Sequence, residues 1–193
     1  DSLFPAQLII LILGLMALFI LHSSTSSKNR IIMTFLGILW IWTGVFYHLL
    51  HFTVINKAAW GFGILFILAG FFFLFESFVK NRVKFDFKKD WGHYTGYFFF
   101  LFGIIIYSVI VYLLGISMQS TISLGLPCPT TIMTFGFLML TVRKVPLYLL
   151  IIPTIWAVIG TGAAVKFGVY QDYVMLLSAI IGDIYLATRK QPN

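Results

Sequence analysis

The sequence predicts an all-α polytopic integral membrane protein with about seven transmembrane helices, and three observations carry that expectation. Of its 193 residues, 60% are hydrophobic and 10% are charged. An average soluble domain has roughly 45–50% and about 25%, so a water-facing surface cannot be clothed with so few charges. Apolar runs near the ~20 residues that a bilayer-crossing helix needs recur along the whole chain. Lys and Arg gather in alternate connections between those runs.

The runs span 5–22, 30–55, 58–79, 91–116, 129–142, 146–165 and 172–188. Pro5 opens the first, and a polar loop with Lys28 and Arg30 follows it. Lys57 separates the second from the third. Lys80, Arg82, Lys84, Lys88 and Lys89 lie between the third and the fourth. The fifth opens at Pro129 and is short, with its start inside the 126–129 segment as the alternative. Arg143 and Lys144 part it from the sixth, Lys166 lies before the seventh, and Arg189 and Lys190 follow it. Of the 13 Lys and Arg residues, all but Lys57 and Lys166 therefore fall on one side. This positive-inside pattern puts the N-terminus outside and the C-terminus in the cytoplasm, and needs an odd number of crossings. The expected location is the cytoplasmic membrane.

An internal repeat is also visible. Ile41-Trp42 and Ile155-Trp156 are separated by 155 − 41 = 114 residues. At that offset the second and third runs fall on the sixth and seventh without gaps. The layout is a single transmembrane domain over 1–193, with half-repeats 5–80 and 129–190 and a linking helix 91–116. Both halves then share one orientation. The net charge of +7 does not imply nucleic acid, because the basic residues sit in short loops. The lone Cys128 allows no intrachain disulfide. The chain begins at Asp1 rather than Met, so a leader or missing stretch is expected before it.

Ionisable and polar groups inside a bilayer are costly and mark functional sites. One layer, expected at the outer face, holds His48, His51, Asn56, Cys128, Thr130, Tyr170 and Asp172. His48 and His51 are three apart and would share a helix face. With Cys128 they could form three ligands for Zn or Cu, with Asp172 as a fourth. The plainer alternative has both imidazoles bonded at the interface and Cys128 as a small buried apolar group. Pro127-Cys128-Pro129 cannot be ordinary helix interior. It reads as an extended turn into a helix start, where Thr130 and Thr131 could cap.

The inner layer holds Glu76, His93, Arg143 and Asp183. Glu76 is placed to pair with Lys80 at i,i+4. Asp183 lies about 9 Å inside Arg189 along a helix, which makes it a candidate proton- or cation-linked residue beside its plainer role as a structural hydrogen bond. Trp40, Trp42 and Trp156 lie deep enough to wall a cavity or fill a core. Gly61, Gly63, Gly160 and Gly162, with Ala163 and Ala164, mark close helix approaches.

Taken together, several segments resemble a family of uncharacterised multi-pass bacterial membrane proteins, known only as a domain of unknown function. The resemblance runs through Phe4-Pro5-Ala6-Gln7, Trp42-Thr43-Gly44, Tyr47-His48, Ile55-Asn56 and Ala58-Ala59. It continues through Pro127-Cys128-Pro129-Thr130-Thr131, Thr134-Phe135-Gly136, Pro153, Trp156, Gly160, Ala163-Ala164, Gly168 and Asp172. It implies a membrane location and an added stretch before Pro5, and assigns no activity. A retinal protein needs a Lys in its last helix and a ceramidase-like zinc amidase a His pair there; the seventh run has neither. Three-one-three sugar transporters offer a layout analogy alone. The expected function is small-solute or ion transport, with a proton or substrate pathway drawn from Trp42, Asn56, Thr130, Trp156, Asp172 and Asp183. The alternative is a non-catalytic accessory or metal-binding subunit of a larger membrane complex. An intramembrane enzyme ranks below both. The expected partners are the lipid bilayer and further copies or subunits.

Overall fold

The computed structural model describes residues 6–115 and 125–189; Pro5, Lys190 and the 116–124 connection lie outside the described residues. The described residues form seven helical rods and no strand. These are α1 (Ala6–Leu21), α2 (Lys28–Val54), α3 (Ala59–Lys80), α4 (Trp91–Leu113), α5 (Pro127–Met139), α6 (Tyr148–Phe167) and α7 (Tyr173–Thr188). Each expected run overlaps one rod, with ends displaced by up to three residues. Four of them, α2, α3, α4 and α6, are long and apolar enough to cross a membrane, whereas α1 is apolar but shorter.

Helix α5 is the centre of the bundle. It packs on α4, α7, α6 and α2, and apart from Cys128 its residues are buried from Pro127 to Met139. A helix covered on every side needs no long lipid-facing stripe, which is why this one is short and tolerates three threonines. Its burial depends on backbone meeting backbone. A Cβ on Gly136 would stand 2.5 Å from the Phe100 nitrogen, and one on Gly96 would stand 2.9 Å from the Gly136 carbonyl oxygen. The α2–α3 pair closes in the same way, with Gly44 against the carbonyl of Gly63. Of the glycines expected at close approaches, Gly63 and Gly160 are tightly packed, while Gly61 and Gly162 face open space.

Three rods contain a wide π segment: Thr43–Leu49 in α2, Glu76–Lys80 in α3 and Phe102–Ile106 in α4. The extra residue per turn shifts every later side chain around the axis. The expected Glu76–Lys80 pair does not form, because other donors occupy the carboxylate. Glu76, fully buried, instead accepts from the Arg82 backbone N–H at 2.6 Å, the Arg82 guanidinium at 3.0 Å and the Tyr148 hydroxyl, and Lys80 lies over the Phe75 ring.

The basic residues collect at one end of the bundle, where polar contacts knit the connections together. Asn29 accepts from the Phe85 N–H at 2.7 Å, Phe85 bridges to Thr141, and Arg189 donates to the carbonyls of Thr141 and Arg143. Asp90 caps α4 through the His93 N–H at 3.0 Å. Burial pushes the Asp90 carboxyl up, but hydrogen bonds from the His93 ring and backbone and from Tyr185 outweigh it and hold the carboxyl below its ordinary range.

The glycine contacts predict an asymmetric response. Gly136→Ala should lower stability by about 1–3 kcal/mol, the usual cost of forcing a methyl into a packed interior. Gly61→Ala should leave it unchanged or slightly raised. Thermal unfolding of both variants in detergent checks this, and equal midpoints would contradict the backbone contact at Gly136.

Candidate functional site

At the end of the bundle away from the basic cluster lies a cavity of about 610 Å³. The last turns of α2 contribute Tyr47 and Phe52, the connection after it Asn56, α3 contributes Phe62, and α4 contributes Tyr107. The start of α5 supplies Pro127, Cys128 and Pro129. Trp156 and Gly160 of α6 and Asp172, in the turn before α7, complete the wall. Lys166 stands exposed at its rim.

Local structure explains each placement. Leu126 is extended at φ −84° and ψ 153°, so Pro127 opens α5 as its first helical residue. Pro-Cys-Pro is therefore the first turn of the helix, two residues earlier than the expected start at Pro129, because a proline loses no hydrogen bond there. Thr130 and Thr131 do not cap. The Thr131 hydroxyl donates to the Pro127 carbonyl at 2.8 Å and that of Thr134 to the Thr130 carbonyl at 2.7 Å. The Thr130 hydroxyl is buried without a partner, away from the cavity wall.

Asp172 is only 7% exposed. It too leaves its helix uncapped and instead accepts from the Tyr107 hydroxyl at 2.6 Å. Cys128 lies between that carboxyl, to which its thiol donates, and Trp156, whose indole N–H has the sulfur beside it. Asn56 accepts from the Ala58 N–H at 3.0 Å and so shapes the turn into α3.

The floor of the cavity is aromatic. His48 stands behind Trp156, with ring centroids 5.0 Å apart, and 4.6 Å from Phe66. It is fully buried and neither ring nitrogen has a hydrogen-bond partner. The turn that ends the π segment separates it from His51, which is exposed and donates its Nδ1–H to the Phe46 carbonyl at 2.5 Å. The two imidazoles therefore do not act as a pair on one face. Among the described residues no three His, Cys, Asp or Glu side chains stand close enough to hold a metal ion, so the expected His48–His51–Cys128 ligand set for Zn or Cu is not assembled.

A second cavity of about 790 Å³ lies in the basic half between α6 and α7. Asp183 opens onto it, accepting from the Thr154 hydroxyl at 2.8 Å through Oδ2 while Oδ1 has no partner. Lys144 and Arg189 stand at its edge. Asp183 and Trp156 thus serve different cavities rather than one. Trp42 lines neither: it stacks on Phe46 with centroids 3.9 Å apart, beside Gly125. Trp40 is a core residue whose indole donates to Thr134 at 3.0 Å.

The structure brings Asn56, Cys128, Trp156 and Asp172 together and adds Tyr47, Phe62, Tyr107 and Lys166, which residue type alone did not single out. Tyr107 had a readable signal: a phenol after Ile104-Ile105-Ile106 needs a partner for its hydroxyl.

These features define an all-helical protein with several helices able to cross a membrane and a polar group buried near one end. The chain belongs to DUF6064, a family of unknown function, which it matches over residues 1–192. No curated protein and no solved structure matches it.

The phenol–carboxyl contact is open to test. Tyr107→Phe should cost about 1–3 kcal/mol, the penalty for a buried polar group losing its partner. The same change in an Asp172→Ala background should cost much less. Equal losses in a double-mutant cycle read by thermal unfolding would show the contact to be energetically idle.

Proposed function

We propose that the protein is a multi-pass component of the cytoplasmic membrane that carries a small solute or ion across it. In this reading all seven rods cross, the basic end faces the cytoplasm, and exposed side chains such as Phe19, Ile64, Phe71 and Val158 meet lipid. The observation that carries it is the pair of cavities stacked along α6. The cavity away from the basic end uses Trp156, Ile159, Gly160 and Ala163, and the other uses Leu147, Leu150, Ile151, Thr154 and Ile155. They divide at Ile155–Trp156. Each holds one half-buried or buried carboxyl of the α7 strip, Asp172 or Asp183, about 16 Å apart at the helical rise. A volume of 610 Å³ lies in the range of small-molecule sites.

The cavities open on opposite sides of α6, and the helix that parts them can bend. Trp156 is held by His48, Phe62 and Phe66. Pro153, inside α6, frees a carbonyl one turn earlier and weakens the helix there. The moving parts are the half-units 5–80 and 129–190, with α4 travelling with the second because it is locked to α5.

Purified protein in proteoliposomes tests the proposal. Uptake of a solute panel should exceed that of empty liposomes, Asp172→Asn should reduce it by about tenfold, the loss of one hydrogen bond to a charged group, and Trp156→Ala should produce a leak. Uptake indistinguishable from empty liposomes for ions, amines, sugars and organic acids would end the carrier reading.

A further inference from the structure

We propose that the cavity at Asp172 binds a small organic cation of the alkylammonium class. This rests on the carrier reading for its purpose, though the binding site stands on its own geometry. Five aromatic rings, from Tyr47, Phe52, Phe62, Tyr107 and Trp156, line the space, and Asp172 is the one carboxyl among its described walls. Aromatic faces attract a cation through the ring quadrupole, and more strongly where water is excluded. They give nothing comparable to an anion.

The counter-charge is built in. Asp172 is buried, and Tyr107 fixes one of its oxygens at 2.6 Å. A carboxyl held in an apolar wall with only the Tyr107 hydroxyl and the Cys128 thiol as neutral donors is balanced either by its own proton or by a cation beside it. The structure supplies no such cation from the chain. Among the described lining residues Lys166 alone is basic, and it stands exposed at the rim. A solvated rim charge is screened within about 10 Å at ordinary ionic strength, while the buried carboxylate acts at lower effective dielectric. The field inside is therefore set by Asp172, and the cavity selects positive charge. The Trp156 indole N–H, which has only the Cys128 sulfur beside it in a side chain only 8% exposed, adds a donor that can meet a hydroxyl on the same ligand. Cys128 and the prolines at the start of α5 complete a wall that passes alkyl groups.

Choline and its uncharged isostere 3,3-dimethylbutan-1-ol separate charge from shape. Isothermal titration of the full chain in lipid nanodiscs should show choline binding about tenfold or more tightly than the isostere, within the range that cation–π attraction and a carboxylate supply. Asp172→Asn should remove the preference. Trp156→Leu, which keeps the carboxyl, should weaken choline and leave the isostere unchanged, so that the result does not hang on one variant folding. Equal binding of both ligands to the wild-type chain, or no binding of choline, would overturn the proposal. If choline binds and proteoliposomes carry nothing, the site stands and the carrier reading falls. If proteoliposomes carry a neutral or anionic solute and choline does not bind, the carrier reading stands and the cation class falls.

Discussion

The contact of α4 with α5 at Gly96 and Gly136 is the constraint from which most of the structure follows, because it allows a helix to be surrounded on every side by other helices. With backbone against backbone, α5 has no lipid face and does not need the length or apolarity of a crossing helix. Its threonines can then return their hydroxyls to carbonyls one turn back, as Thr131 and Thr134 do, without meeting hydrocarbon. The same pairing sets the height of Tyr107. Gly103 lies against the Pro129 carbonyl, where a Cβ would stand 2.7 Å away, and one turn further on the Tyr107 hydroxyl reaches Asp172. A carboxyl at the start of α7 is thus held through a chain of contacts that begins at two glycines.

The two ends of the bundle treat their polar groups differently. In a low-dielectric interior each buried polar atom needs a partner or remains a cost. At the basic end Glu76 collects donors from Arg82, Val83 and Tyr148, and Asp90 collects them from His93 and Tyr185. His93 and Arg189 each keep one unpaired nitrogen there but are bonded through others. Toward the other end the pairing is less complete: His48 has no partner at either nitrogen, and Trp42 and Thr130 lack one for their only polar hydrogen. The basic end pairs Glu76 and Asp90 but leaves one Asp183 oxygen unpaired beside its own cavity, and the other end holds more unpaired donors.

The helical rods were legible because long apolar runs separated by charged loops leave few alternatives. Boundaries moved by only a few residues, most clearly at α5, where Pro127 rather than Pro129 takes the first helical position. The π segments were not legible. They have no compositional mark, yet both spacing arguments failed at one: α2 leaves its π segment for a turn between His48 and His51, and Glu76 is taken by Arg82 and Tyr148 rather than Lys80. Half of the pathway residues, Asn56, Trp156 and Asp172, meet in one cavity, while Trp42, Thr130 and Asp183 do not. Depth along a helix can be counted from the sequence, but the direction a side chain faces depends on packing partners that no spacing records.

Helix α6 joins the two carboxyl sites more directly than α7 does. Thr154, which donates to Asp183, follows Pro153, and Trp156, which closes the floor beneath Asp172, comes two residues later. Pro153 leaves the carbonyl one turn before it without its helical donor, so the weakest point of α6 lies just before both the polar contact of one cavity and the aromatic floor of the other. In the proposed carrier a bend there cannot move Trp156 away from His48 and Phe66 without also shifting Thr154 against Asp183. Rearranging the floor of one cavity and the hydrogen bond in the other would then be a single motion, and a carrier needs that link if its two sides are not to open together.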